Sequence, residues 1–117
     1  MKGMGIIFHS GSYDKVYYGL LIAIAASAIG KDVRCLFSSD ALKYLKREND
    51  IEKKIDKMPD IFELIKDAKK IGVKIYACTN SMALLNIARN ELIDEVDKST
   101  GLTTFLIETD DFEIIFI

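Results

Sequence analysis

The stretch GVKIYACTNSM, residues 72–82, predicts a strand that runs directly into a helix. Residues 73–78 form a short apolar run, which is typical of a strand. Thr79 and Asn80 follow at once, and both residue types cap helix N-termini. We therefore predict a helix over residues 80–89, with Cys78 at the junction between strand and helix. A strand followed by a helix is the repeating unit of α/β domains.

The same alternation extends over the rest of the chain. Residues 4–9, MGIIFH, predict a strand buried on both faces, and residues 32–37, DVRCLF, predict a second strand. The other predicted elements are a first helix capped by Asp14 and ended by Gly30, a short helix over residues 41–48, a helix that restarts at Pro59 and ends at Gly72, a helix over residues 102–108 capped by Ser99 or Thr100, and a last strand over residues 112–117. Residues 91–97 are ambiguous between a short strand and a helical turn.

This pattern predicts the α/β class, with a mainly parallel sheet between helices in a three-layer sandwich. No long linker, repeat or low-complexity segment interrupts it, so residues 1–117 are expected to form a single domain. The first and last strands are strongly apolar, and we expect them to be the central ones.

Composition excludes several functional classes. The formal net charge is −2, with 16 basic and 18 acidic residues, which gives no basic footprint for nucleic acid. The single histidine and the two cysteines lack metal-ligand spacing, so we expect neither a metal nor an organic cofactor. A chain with two cysteines and no signal peptide is expected to be cytoplasmic.

The first helix carries no charged residue between residues 16 and 30. This run is shorter than the roughly 20 residues that span a bilayer. A helix that is apolar all round must be covered on more than one side. We therefore expect a second subunit to cover it, and no membrane contact.

Three strand ends carry polar or reactive side chains. They are His9–Ser10, Ser38–Ser39 and Cys78–Thr79. Because parallel strands share a direction, these ends are expected to meet at one edge of the sheet, where open α/β sheets bind ligands.

Cys78 is the candidate with the clearest chemistry, and we expect its sulfur to be exposed to a crevice at the junction of strand and helix. At a helix N-terminus, with Thr79 or Asn80 as the cap, the helix dipole favours the thiolate, which is the form that attacks sulfur. The alternative is a buried cysteine that only fills space. Cys35 lies inside its strand and is expected to be an inert small hydrophobe.

His9 could serve as a base or as a hydrogen-bond donor to a thiolate, but only if the first and third strands are neighbours. The alternative is a polar strand end that meets solvent or a backbone carbonyl. The turn after His9 precedes a helix N-terminus but lacks both nucleotide-binding glycine patterns.

Residues 43–57 are the most charged part of the chain. One interpretation is a solvated segment, and the other is a lid or docking surface for a partner.

Two stretches, IIFHSGSYDKVYYGLLIAIAASAIGKDVRCLF and GVKIYACTNSM, together resemble the DsrE/DsrF-like, TusD-related sulfur-relay family. The resemblance covers most of the chain and rests on small and apolar positions and one cysteine. It implies a flavodoxin-like or Rossmann-like sheet without a nucleotide, and association into trimers or hexamers. It also implies that the cysteine at position 78 accepts sulfane sulfur as a persulfide and passes it on.

Two functions follow from these observations. The first is a sulfur carrier that exchanges sulfur with donor and acceptor proteins through Cys78, as a possible sulfurtransferase. The second is a non-catalytic ligand-binding or scaffold subunit of an oligomer, since the resemblance includes members that lack the cysteine. His9, Ser10, Thr79 and Asn80 are expected as pocket neighbours of Cys78.

Overall fold

The computed structural model describes residues 1–49, 51, 57 and 59–117, and its centre is a parallel β-sheet. The strands are β1 (Met4–Phe8), β2 (Val33–Phe37), β3 (Lys74–Cys78), β4 (Lys98–Thr100) and β5 (Glu113–Phe116). Within the described residues the sheet has five strands in the order β4-β3-β2-β1-β5, and every pairing is parallel. The predicted α/β fold with a parallel sheet is confirmed.

Helices connect the strands in chain order. They are α1 (Tyr13–Ala28), α2 (Ile61–Lys70), α3 (Thr79–Leu84) and α4 (Leu102–Glu108). Two 3₁₀ helices, Ser39–Leu45 and Arg89–Glu91, complete the regular structure of the described residues. None of the helices in this part of the chain has the length and hydrophobicity needed to cross a membrane.

The sheet separates two apolar layers of unequal size. The larger core packs α1 and α2 against one face, where the strands contribute Ile6, Phe8, Cys35, Phe37, Ile75 and Ala77. The smaller cluster lies on the opposite face and consists of Ile7, Leu36, Tyr76, Cys78 and Phe105 of α4. The predicted three-layer arrangement is therefore confirmed, with one thin layer. That thin layer leaves room for a cavity at the edge of the sheet.

Glycines end the two long helices, as the sequence predicts. Gly30 and Gly72 have φ values of 101° and 97°, in the left-handed region that side chains other than glycine rarely adopt. Each glycine turns the chain into the next strand. Ser12, and not Asp14, occupies the N-cap position of α1, whereas Asp60 caps α2 by accepting a 3.1 Å hydrogen bond from the Phe62 N–H group.

The predicted central position is wrong for the last strand. β5 pairs only with β1 and lies at the edge of the sheet, and β2 is central. Two of its apolar side chains, Ile114 and Phe116, are exposed to 42% and 67%. The apolar character of β5 therefore reflects an uncovered surface, not a central position.

The chain after β3 also differs from prediction. α3 ends at Leu84 and not at residue 89, because the backbone turns at Asn86, whose φ is 55°. Ser99 and Thr100, predicted as helix caps, lie in β4, and Gly101 is the N-cap residue of α4. The ambiguous residues 91–97 form no regular strand, apart from one bridge between Leu92 and Lys46.

The charged segment of residues 43–57 is described only in part. Tyr44 and Leu45 are buried in the first 3₁₀ helix, so its beginning is not a solvated segment. The lid or docking surface predicted for this segment, and the beginning of the helix predicted to restart near residue 58, fall partly on residues 50, 52–56 and 58. These lie outside the described residues.

Candidate active site

A cavity of about 560 Å³ opens at the carboxyl edge of the sheet, on the face that carries α4. Its described lining residues are Ile7, His9, Leu36, Ser38, Ser39, Cys78, Asn80, Ser81, Leu84, Leu85, Leu102, Leu106 and Phe116. They lie in or directly after β1, β2, β3 and β5, and in or next to the helices α3 and α4. Such an edge is where open α/β sheets place ligands.

Cys78 is the last residue of β3 and the N-cap residue of α3. The predicted caps, Thr79 and Asn80, are already helical, because the helix begins one residue earlier than expected. Cys78 is a free cysteine that is only 5% exposed, and the exposure it has is to the cavity. The sequence led us to expect a more exposed thiol. Phe105 of α4 packs on the same face of the sheet and belongs to the same apolar cluster as Cys78.

Cys35 has a different environment, as predicted. It is fully buried in the larger core, on the face of the sheet opposite to the cavity. Burial in apolar surroundings raises the pKa of the Cys35 thiol far above its usual range. Its sulfur is therefore kept as an inert thiol, and Cys78 is the cysteine that meets a cavity.

The strands on either side of β3 place hydroxyl groups near Cys78. Thr100 of β4 is its register partner and is 6% exposed. Ser38 follows Phe37, the register partner of Ala77, and its hydroxyl donates a 2.9 Å hydrogen bond to the Phe8 carbonyl.

A hydrogen bond closes one side of the cavity. The Ser39 backbone N–H donates to the Ser81 hydroxyl at 2.8 Å, which ties the start of the 3₁₀ helix to α3. Ser39 has a φ of 52°, a left-handed conformation that is unusual for a residue with a side chain.

His9 lines the cavity but does not neighbour Cys78 in the sheet. β2 lies between β1 and β3, and two strand spacings amount to roughly 10 Å. A direct role of His9 at the Cys78 thiolate required β1 and β3 to be neighbouring strands, and they are not. The imidazole instead stacks on the Phe116 ring, with centroids 5.4 Å apart.

The other predicted pocket neighbours separate into two groups. Asn80 lines the cavity, whereas Ser10 and Thr79 are not among its lining residues. The Ser10 hydroxyl accepts a 3.1 Å hydrogen bond from the Ser12 N–H group at the start of α1. Thr79 is exposed at the first position of α3.

Sequence reasoning missed the apolar walls of the cavity. They are formed by Leu84, Leu85, Leu102, Leu106 and Phe116. These side chains are between 44% and 86% exposed. Their apolar character was visible in the sequence, but it is equally typical of core residues.

No lysine, arginine, aspartate or glutamate is among the described residues that line the cavity. The nearby charged groups pair with one another at the end of α4. Lys98 Nζ lies 2.6 Å from Glu108 Oε1, and the Arg34 guanidinium lies 3.7 Å from Glu108 Oε2. In the described part of the chain, no group of three or more His, Cys, Asp or Glu side chains could hold a metal ion.

The family model for the DsrE/DsrF-like family matches residues 2–112. The chain belongs to this family. This membership confirms the resemblance seen in the sequence and relates the chain to sulfur relay at the level of the family. No curated protein sequence matches the chain.

Solved structures share the fold at low sequence identity. The ychN protein of E. coli superposes with a TM-score of 0.82 at 19% identity, and all of each chain is covered. MTH1491 of Methanobacterium thermoautotrophicum gives 0.75 at 14% identity, also over all of each chain. BT1422 of Bacteroides thetaiotaomicron gives 0.72 at 14% identity, over 99% of this chain and 95% of that one. The last two are described as proteins of unknown function.

Proposed function

We propose that this protein is a sulfur carrier in which Cys78 accepts sulfane sulfur as a persulfide and passes it to a partner thiol. One observation carries the proposal. Cys78 is a free cysteine at the carboxyl end of a central parallel strand and meets the cavity there, whereas Cys35 is sealed in the core. Membership of a family related to sulfur relay supports it.

The transfer is a pair of thiol exchanges at sulfur. The Cys78 thiolate attacks the outer sulfur of a donor persulfide, the S–S bond of the donor breaks, and the donor thiolate leaves. An acceptor thiolate then attacks the outer sulfur of the Cys78 persulfide and restores the Cys78 thiolate. Neither step needs an external oxidant or reductant, and neither needs a second cysteine on this chain.

The proposal includes partners and a location. The donor is a persulfide on a partner protein or small molecule, the acceptor is a thiol on another, and a reducing cytoplasm keeps Cys78 free between transfers. Copies of the chain associate, as the family resemblance implies, into trimers or hexamers. The outer face of α1 supports this association, because Tyr18, Ile22 and Ile29 are 60%, 40% and 62% exposed. Light scattering of wild type and Ile22→Lys tests it, with a smaller assembly expected for the variant.

The test of sulfur transfer is persulfide loading of the full chain. After incubation with a sulfane donor, intact mass spectrometry should show one added sulfur atom on wild type and on Cys35→Ala. Cys78→Ser should gain none. Equal loading of Cys78→Ser and wild type would show that another group accepts sulfur, and the proposal would fail.

One observation favours the alternative of a non-catalytic ligand-binding or scaffold subunit. Cys78 is only 5% exposed, which limits the access that a transfer reaction requires. Alkylation discriminates between the two functions. A Cys78 that reacts with iodoacetamide at neutral pH no faster than free cysteine would support the non-catalytic function.

A further inference from the structure

The cavity next to Cys78 has the chemistry of a site for a small apolar ligand. We propose that it binds the organic body of a low-molecular-mass persulfide, R–S–SH with R an uncharged aromatic or branched alkyl group, and that this molecule is a sulfur donor to Cys78. This inference rests on the proposed function and adds the class of the substrate.

The dimensions and the walls of the cavity support a small molecule. Its volume of about 560 Å³ lies within the range of about 300–1,000 Å³ that is common for ligand pockets. Seven of its thirteen described lining residues have aliphatic or aromatic hydrocarbon side chains, and the other six are Cys78, His9, Asn80 and three serines. Leu102 and Leu106 of α4 form one wall, and Leu84 and Leu85 at the end of α3 form another. A hydroxyl-rich or peptide-like ligand would leave many of its polar groups unpaired against these walls.

The absence of charged side chains from the described lining discriminates between sulfur donors. Thiosulfate and glutathione persulfide carry anionic groups that require a cation or several N–H donors when they leave water. Lys98 and Arg34, on the same face of the sheet, are not lining residues and are paired with Glu108. An uncharged R group has no such requirement and gains free energy from contact with the leucines.

The polar lining residues all follow strand ends, with His9 after β1, Ser38 and Ser39 after β2, and two residues after Cys78 of β3. Cys78 is on the sheet, and Asn80 and Ser81 follow it on α3. In the bound donor, R contacts the leucine walls and the S–S bond lies towards Cys78. The Cys78 thiolate attacks the outer sulfur of R–S–SH, the S–S bond of the donor breaks, and R–S⁻ leaves with the electron pair of that bond. The product on the chain is Cys78–S–SH.

The experiment compares two donors on the full chain, benzyl persulfide and glutathione persulfide. Each rate of Cys78 loading, measured by intact mass, is divided by the rate at which the same donor loads N-acetylcysteine. This ratio removes the intrinsic reactivity of each donor. We expect the ratio for benzyl persulfide to be larger by about tenfold or more, because burial of a ring changes affinity by at least that factor. Equal ratios would overturn the inference.

Leu106→Lys places a cation in the wall and should reverse or abolish the preference for benzyl persulfide. Leu84→Lys places a cation in the other wall and should have the same effect on the preference. Leu84 is 86% exposed, so this substitution is not expected to impair folding. Ile107→Lys is the matched control, because Ile107 is adjacent on α4, is 71% exposed and does not line the cavity. An unchanged preference in both wall variants, or a loss of preference in Ile107→Lys, would contradict the inference.

A binding measurement separates this inference from the proposed function. Benzyl methyl sulfide cannot transfer sulfur, and ligand-observed NMR should detect its binding to Cys78→Ser and weaker binding once Leu106→Lys is added. Binding without loading by any donor would support the ligand class and overturn the sulfur carrier. Loading without binding, at equal ratios for both donors, would support the sulfur carrier and overturn the ligand class. A second copy of the chain that seals the cavity would give this last result.

Discussion

Cys78 and Thr100 are register partners in the adjacent parallel strands β3 and β4, and they are only 5% and 6% exposed. Paired residues of neighbouring strands direct their side chains to the same face of the sheet, and the strands are about 5 Å apart. The Thr100 hydroxyl is therefore on the same face as the Cys78 sulfur. The sequence placed Thr100 at a helix cap, so this neighbour of the thiol emerged only from the strand pairing.

Thr100→Val removes the hydroxyl and keeps the shape of the side chain. We expect this hydroxyl to turn towards the sulfur when Cys78 is ionised, so the variant should load sulfur about threefold to tenfold more slowly. Mass spectrometry of persulfide formation measures the rate. Thr103→Val, an exposed position on α4, is the control and should match wild type. A Thr100→Val rate equal to the wild-type rate would assign Thr100 to packing alone.

Gly19→Ala tests the contact between α1 and β1. Helix propensity alone predicts that alanine stabilises this position by about 1 kcal/mol. A Cβ atom at Gly19 would overlap the ring of Phe8, which is fully buried and stacks on Phe37. Overpacking costs about 1–3 kcal/mol, so the free energy of unfolding in urea should fall. In a Phe8→Leu background the same substitution should cost less, and an increase in stability in the wild-type background would refute the close contact.

Asp97→Ala tests a carboxylate that connects α2 with the sheet. Asp97 Oδ2 accepts a 2.7 Å hydrogen bond from the Ile75 N–H group and lies 2.5 Å from Lys69 Nζ. Loss of the acceptor leaves the N–H group unpaired and should cost about 1–3 kcal/mol in the free energy of unfolding. Asp94→Ala is the matched control. Its side chain is 82% exposed and pairs with Arg47 at the surface, so the cost should be below about 1 kcal/mol. Equal costs for the two variants would contradict this difference.

The raised pKa of Tyr44 predicts that the stability of the fold decreases at alkaline pH. Its hydroxyl donates a 2.7 Å hydrogen bond to the Gly11 carbonyl, and burial together with Asp40 raises the pKa of Tyr44 to about 12. In the unfolded chain a tyrosine loses its proton near pH 10 (about its ordinary pKa). Between these two values the unfolded state binds fewer protons than the folded state, so stability falls as pH rises.

Tyr44→Phe should therefore flatten part of this decline. Urea unfolding of both proteins at several pH values between about 9 and 12 measures the slopes. Wild type should lose more stability than the variant over this range, whereas the difference between them should be constant below pH 9. Parallel slopes throughout would show that Tyr44 titrates alike in the folded and unfolded chains.

Local signals account for the parts of the fold that the sequence predicted well. Gly30 and Gly72 end helices because glycine readily adopts the positive φ values that other residues rarely adopt. This freedom is a property of glycine itself, so the sequence is enough to predict it. The end of α3 was missed because Asn86 turns the chain in a left-handed conformation within a run that reads as helical. β4 was missed because a three-residue edge strand of Lys98, Ser99 and Thr100 has no apolar pattern.

The candidate site also combines features that the sequence predicted with features that it did not. The position of Cys78 at a strand end followed from the sequence, and so did the burial of Cys35. The sequence did not predict that the described lining residues include no lysine, arginine, aspartate or glutamate. This feature depends on which side chains of α3, α4 and β5 converge at the cavity. The separation of His9 from Cys78 depended on strand order, which no local pattern specifies.

The sequence by itself determined the α/β class and the parallel sheet, because hydrophobic periodicity and helix-ending glycines act over a few neighbouring residues. The family followed separately, from the resemblance of two stretches to DsrE/DsrF-like proteins. Only the tertiary structure decided that β2 is central, that Thr100 is the register partner of Cys78, and that leucines line the cavity that Cys78 meets. These features arise from contacts between residues that are distant in the chain, and the free energy of those contacts depends on how whole layers pack.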